Sequence, residues 1–353
     1  MPPRSPRRPA PTYAASGVDL AGRARALPEL IDAARYHAPP SHGTVVPAAG
    51  HFAGLVRLGR TTLALTTDTV GTKVLLAERL GRWEEVGEDA IAINVNDLAA
   101  VGARPAAVVD TILCGSADPA IFRAIGVGMR RGLAAARCSL VGGETALVAE
   151  IVRGLDLGAT ALGFFPGRRR PILGDRIRPG DRILGIPSSG LHANGLTLVR
   201  RLVDESGLPL DRARAGGRGT LGSELLRASR SYSHAVDGVA DLAGVVGLAH
   251  VSGGGVRNLC RLSTTVRFTL DGWPRPPGLF RWLQTIGSVG DREMFGTFNM
   301  GVGFLLVVRP GAERAVRRAL AARGASDVLA VGRVETGTGV ELPSLGLVYR
   351  GYA

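Results

Sequence analysis

No apolar run in this chain outgrows a strand: the longest, Gly301 to Val308, is strand-sized, and each such run gives way to a polar, glycine-rich break. A membrane-spanning helix needs about 20 apolar residues, so the pattern excludes an integral membrane protein. Strand-sized runs alternating with helix-period segments instead predict layered α/β (α+β) architecture. Thr61 to Thr67 and Ala106 to Leu113 read as strands, and between them Ile91, Val95 and Leu98 recur at helical spacing within Glu88 to Val101. Asp118-Pro119 opens a helix whose Ile121, Ile125, Met129 and Leu133 form one stripe, and Gly158 to Phe165 closes a first half. Gly167-Arg168-Arg169-Arg170-Pro171, a charge run between breakers, reads as a linker. The second half reads as strands 182–187, 265–270 and 301–308, helices ending near Val203 and spanning 223–242, 278–285 and 312–323, and two closing strands. The expected division is an arginine- and proline-rich loose tail over 1–12, an N-terminal domain over 13–166 and a C-terminal domain over 167–353.

Composition narrows the chemistry. The net charge of +13 would suit a polyanion. The basic residues are scattered, however, aromatics are only 5%, and no nucleic-acid motif is present, so phosphate-bearing small molecules fit better. Glycine, at 50 of 353 residues, has about twice its usual share without any collagen period. Of 43 basic residues 42 are arginine, and the one lysine is Lys73. A compact ammonium kept at a single place points to a site that a planar guanidinium would not fit. Cys114, Cys138 and Cys260 are too widely spaced for a zinc knuckle or a disulfide framework, which predicts a reducing compartment, the cytoplasm.

Three acids, Asp68, Asp97 and Glu144, each stand among small residues beside a strand end or on a helix. Carboxylates with room left for phosphate oxygens suit Mg²⁺. Taken singly, each acid reads more readily as a helix cap or a solvated turn residue, and it is their common setting that raises the metal reading. Gly71-Thr72-Lys73 and Gly253-Gly254-Gly255 offer backbone N–H groups and an ammonium of the kind that cradle phosphates, although neither is a Walker loop or a dinucleotide fingerprint.

Six blocks carry a resemblance. They are Thr67 to Lys73, Val95-Asn96-Asp97-Leu98, Val141 to Thr145, Ser188-Ser189-Gly190-Leu191-His192-Ala193-Asn194-Gly195, His250 to Gly255, and Thr297 to Gly303. In this order, over nearly the whole chain, the sequence resembles the aminoimidazole ribonucleotide synthetase (phosphoribosylformylglycinamidine cyclo-ligase) family. Thiamine monophosphate kinase and selenophosphate synthetase, of the same ATP-binding superfamily, share the acids but lack the fourth and sixth blocks in this form. The resemblance implies two α/β domains, a homodimer whose first domains share a β-barrel, and ATP held with Mg²⁺ near that interface. It implies ATP-driven ring closure of a phosphoribosyl substrate, with Asp68, Asp97 and Glu144 on the metal. Gly71, Thr72, Lys73, Asn96, Gly142, Gly143 and Gly253 to Gly255 would join Asp68 and Asp97 around the nucleotide, and Lys73, His192 and Asn194 would act in catalysis.

The sequence also departs from that pattern. Leu27 to Arg35 lacks the family's first-helix lysine, with Ile31 near its place; Ala146 to Glu150 replaces a Met- and Pro-containing loop; and the Pro-Thr-Arg block reads Ala228-Ser229-Arg230. A paralogue with another acceptor, or a catalytically silent dimeric nucleotide-binding protein, therefore stays open at this stage.

Overall fold

A computed structural model describes residues 12, 16–17, 20–48 and 50–352; the stretch 1–11, expected to be a loose tail, lies outside them. The first half contains α1 (Leu20–Ala33), β1 (Thr44–Val46), β2 (Gly54–Leu58), β3 (Thr61–Thr69), α2 (Val74–Leu80), α3 (Glu84–Ala100), β4 (Arg104–Cys114), α4 (Pro119–Ala136), β5 (Ser139–Leu147) and β6 (Leu155–Phe164). Its six strands lie in the order β1-β2-β3-β6-β4-β5. Helix α3 is buried almost all round, from Val86 to Ala100 except at Glu88 and Asp97, as a helix wedged between a sheet and other helices must be. On one side it covers β3, β4 and β6, and on another it meets α4. That second contact depends on glycine: a Cβ at Gly128 would run into the Glu84 carbonyl oxygen, and one at Gly87 into that of Ile125. The Asp118 carboxylate caps α4 by accepting the Ala120 N–H at 2.7 Å.

The sheet face turned away from α3 is uncovered, with Leu65 44% and Val109 38% exposed. Edge strand β5 exposes Leu140, Val141 and Leu147. Gly142-Gly143-Glu144-Thr145, expected just past a strand end, lies inside β5, in parallel register with Val109 to Ile112.

The second half contains β7 (Arg182–Pro187), α5 (Leu196–Ser206), α6 (Leu221–Leu226), α7 (Ser233–Asp237), β8 (Val245–His250), β9 (Val266–Thr269), α8 (Gly278–Gly287), α9 (Asp291–Thr297), β10 (Val302–Val308), α10 (Glu313–Ala321), β11 (Leu329–Thr336), β12 (Gly339–Leu342) and β13 (Leu347–Tyr349). Its seven strands run β13-β12-β9-β11-β7-β10-β8, with every residue of β8 and β10 buried. Two expectations change here. Three strands close the chain instead of two, and the helix expected over 223–242 is two short helices joined by an extended strap, 227–232. Side chains from outside the strap bond its backbone, so it needs no helical partners.

The linker is docked. Arg169, with its side chain 2% exposed, reaches Asp237 at 2.8 Å, Asp241 at 2.5 Å and the Gly102 carbonyl at 3.3 Å. No helix among the described residues is long and apolar enough to cross a membrane.

Candidate active site

The site lies on the seam between the two sheets. From the first half come Asp68, near the end of β3, and Asp97, a partly exposed residue in the last turn of α3. From the second come His250, the last residue of β8, and the loop Ser188 to Gly195 after β7. His250 Nδ1 meets Asp97 Oδ1 at 2.8 Å, joining the halves. Asp68 is open to solvent at its surface, yet the surrounding protein, and then the neighbouring Asp97 carboxylate, push its pKa above the ordinary value. Two mutually repelling carboxylates on one rim are a poor ground state for the protein alone and a good one for a cation.

His192 is held in the left-handed region at φ +62 and is fully buried. Neither ring nitrogen has a protein partner. Burial, followed by the charges of His250, Lys73 and Arg230, takes its pKa well below the ordinary value, so the imidazole is neutral. Its ring lies beside that of Tyr232, whose hydroxyl donates to the Pro187 carbonyl at 3.0 Å. A Cβ at Gly303 would strike both rings, which explains a glycine inside β10. His250 Nε2 likewise has no protein partner. Asn194 faces Gly253, where an added Cβ would stand 3.1 Å from Asn194 Oδ1. The Gly71-Thr72-Lys73 turn starts at φ +63 with open space around Gly71, and Thr72 bonds Thr197 of α5 at 3.0 Å.

Asp68, Asp97, Gly71, Thr72, His192, Asn194 and Gly253 therefore gather at one seam, and several expected partners do not join them. Lys73 is 0% exposed, with its ammonium 2.5 Å from Asp89 Oδ2 and donating to the Arg227 carbonyl at 2.8 Å. It is a buried rivet whose ammonium is enclosed by these protein partners. Asn96, also 0% exposed, gives both ends of its amide to the strap, Nδ2 to the Arg230 carbonyl at 2.9 Å and Oδ1 to the Tyr232 N–H at 2.7 Å. Gly254 is covered by the Tyr352 ring and Gly255 is wedged against Phe295, with its N–H bonded to the Ser252 carbonyl.

Within this chain Glu144 stands apart from Asp68 and Asp97. Thr69, Gly158, Thr111 and Glu144 form one cross-strand row, while Asp68, Ala159, Asp110 and Gly143 form the adjacent one. Adjacent rows point to opposite faces, so Glu144 is on the uncovered face, three strands or ~14 Å from Thr69. Among the described residues no three His, Cys, Asp or Glu side chains could hold a metal ion together. Gly142 is solvent-open in β5, and Gly143 is required because the Asp110 carboxylate lies where its Cβ would be. Reading residues singly missed the role of His250, although its signal was present as a polar residue ending the apolar run Val245 to Ala249.

Comparison with known proteins gives a consistent result. Residues 50–165 match the N-terminal domain, and residues 178–343 the C-terminal domain, of the family described as AIR synthase related protein. The phosphoribosylformylglycinamidine cyclo-ligase of Methanothermobacter thermautotrophicus is 43% identical over 304 residues, covering 85% of this chain and 88% of the relative. That of Thermococcus kodakarensis is 43% identical over 300 residues, covering 84% and 88%. Among solved structures, AaThiL complexed with AMPPCP and TMP superposes with a TM-score of 0.64 at 16% identity, covering 94% of this chain and 96% of that one. The HypE-HypF complex does so with 0.65 at 17%, covering 90% and 95%. The structural likeness speaks for the fold alone, but sequence identity of this extent decides the family. The chain belongs to the AIR synthase related protein family.

Proposed function

We propose that this chain is an ATP-dependent cyclo-ligase that closes the imidazole ring of aminoimidazole ribonucleotide from formylglycinamidine ribonucleotide, a step of purine biosynthesis. ATP phosphorylates the formyl amide oxygen, the amidine nitrogen attacks the activated carbon, and phosphate leaves. The observation that carries this reading is the seam itself, where the Asp97–His250 contact, Asp68 and the unpartnered His192 converge. The identity to cyclo-ligases supports it.

Asp68 and Asp97 are the residues that would hold Mg²⁺, with phosphate and water oxygens completing its shell. When bound, that ion neutralises phosphate charge during transfer. Gly71, Thr72 and Gly253 offer the nearest backbone and hydroxyl groups for the nucleotide, and Asn194 orients the substrate. His192, neutral at pH 7, accepts the amidine proton as the ring closes; an imidazolium there could not. His250 holds Asp97 in one orientation through Nδ1, leaving Nε2 toward the site.

The uncovered sheet face and the exposed apolar edge of β5 support a homodimer through the first halves. We infer a division into domains over 13–166 and 167–353, and action in the cytoplasm. Mixing purified protein with ATP, Mg²⁺ and formylglycinamidine ribonucleotide tests the function. Aminoimidazole ribonucleotide is the expected product, and its absence while ATP is still bound would overturn the assignment.

A further inference from the structure

Residues 227–232 cross the seam as an extended strap whose backbone is bonded by side chains instead of by a sheet. Lys73 Nζ donates to the Arg227 carbonyl at 2.8 Å, Ser189 Oγ to that of Ala228 at 2.7 Å and Asn96 Nδ2 to that of Arg230 at 2.9 Å. The Ser229 N–H donates to Asp89 Oδ1 at 2.7 Å and the Tyr232 N–H to Asn96 Oδ1 at 2.7 Å. The strap thus carries two arginines at fixed places with opposite circumstances. Arg230 is neutralised, with Nη1 and Nη2 reaching the Asp327 carboxylate at 2.9 and 3.2 Å. Arg227 is exposed, and its one hydrogen bond is a long 3.4 Å contact from Nη1 to the Ser189 carbonyl. No carboxylate among the described residues pairs with it. Its stem lies against Gly190, where an added Cβ would stand 3.9 Å from Arg227 Cβ and Cδ. The guanidinium is therefore held beside the loop that carries His192 and Asn194.

We propose that Arg227 is an anion-binding residue of this site and takes the 5′-phosphate of the phosphoribosyl substrate. The proposal rests on the cyclo-ligase reading for the identity of that phosphate. Three considerations support it. The lysine that sequence alone offered as the phosphate cation is buried and already paired. A planar guanidinium without a carboxylate partner is the side chain best shaped for bidentate phosphate contact. The buried bonds of the strap fix the Arg227 backbone beforehand, so ordering costs little on binding.

The test compares wild type with Arg227→Ala and Arg227→Lys. In the ring-closing assay, Arg227→Ala should raise KM for formylglycinamidine ribonucleotide about ten- to a hundred-fold, the range for losing hydrogen bonds to a charged group. KM for ATP should stay within about two-fold and Arg227→Lys should recover part of the loss. An unchanged KM for the ribonucleotide, or an equal rise for ATP, overturns the assignment. A second arm does not need turnover: calorimetry with ribose 5-phosphate should show binding to wild type that weakens at least about ten-fold in Arg227→Ala. Equal binding by both proteins, or none by wild type, refutes the proposal. Failure of ring closure alone would instead fall on the cyclo-ligase reading, since the ribose 5-phosphate comparison still judges Arg227.

Discussion

Replacing Lys73 with methionine separates a rivet from a phosphate-binding lysine. The change nearly conserves volume but leaves the Asp89 carboxylate, 0% exposed, with only the Ser229 N–H as partner. Stranding one member of a buried ion pair costs about 3–5 kcal/mol. In a domain of 150–250 residues each kcal/mol moves Tm by about 2–4 °C, so a fall of roughly 6–20 °C is expected where the proposed domains melt separately. The double variant Lys73→Met/Asp89→Leu removes both charges and should regain much of that loss, retaining about 1–3 kcal/mol for the orphaned Ser229 N–H. Lys73→Arg should also lower Tm, because a larger head group is forced into fully packed space at a cost of about 1–3 kcal/mol. A lysine poised on a nucleotide phosphate predicts the reverse, with turnover lost and melting nearly unmoved. Urea unfolding followed by circular dichroism of wild type, Lys73→Met, Asp89→Leu and the double variant closes the double-mutant cycle, with Lys73→Arg measured beside them. A loss below about 0.5 kcal/mol in Lys73→Met, or a double variant no more stable than the single, would refute the rivet.

Asp97→Asn should weaken Mg²⁺-ATP binding by calorimetry while the protein stays folded, and unchanged affinity would remove Asp97 from the proposed metal pair. Gly128→Ala should cost about 1–3 kcal/mol or more in urea unfolding, because its methyl group would meet the Glu84 carbonyl oxygen across the α3–α4 contact; a neutral result would mean that the two helices can part. Burial pushes the Cys138 thiol up to about 11 and raises that of Cys260, while Cys114 is buried. Native protein should therefore react slowly with iodoacetamide at pH 8, where thiolate is scarce, and faster as pH climbs toward that value; rapid alkylation at pH 8 would contradict the packing around these residues.

Much of the fold was legible because local chemistry and tertiary demand agree. The Asp118-Pro119 start and the Ile121 to Leu133 stripe are satisfied by the same helix in isolation and in the protein. The strap 227–232 was not legible, since its conformation is set by Lys73, Asp89 and Asn96, more than a hundred residues earlier. The same separation hid the work of those three side chains. A buried lysine and a phosphate-binding lysine have one letter in common, and only the position of Asp89 tells them apart. The position of Glu144 inside a strand was hidden for a different reason. Glycine pairs suggest strand ends, but Gly143 is there because Asp110 leans over it within a continuous strand. Once Gly142 and Gly143 belong to the strand, alternation alone sends Glu144 to the face opposite Asp68.

The seam poses a mechanical problem that its bonding answers. Two sheets that share one contiguous apolar core could slide against each other if only apolar side chains joined them, because dispersion and burial have little directional preference. Proton transfer and in-line phosphoryl transfer tolerate little such movement, and a displacement of about 1 Å can cost a hundred-fold in rate. Across the seam the chain places hydrogen bonds and ion pairs at fixed distances: Lys73 and Asp89 to the strap, Asn96 to the Arg230 carbonyl and the Tyr232 N–H on either side of Ser231, Asp97 to His250, Arg104 to Asp237, and Arg169 to the Gly102 carbonyl. Three of these groups, Asp89, Asn96 and Asp97, belong to one helix, α3, which also floors the first sheet. Since α3 is anchored beneath β3, the carboxylate of Asp68 and the backbone carrying Arg227 are referred to the same rigid body. The buried polar groups add little net stability for their desolvation cost; what they contribute is register, set in large part by a helix, α3, that is packed against both halves.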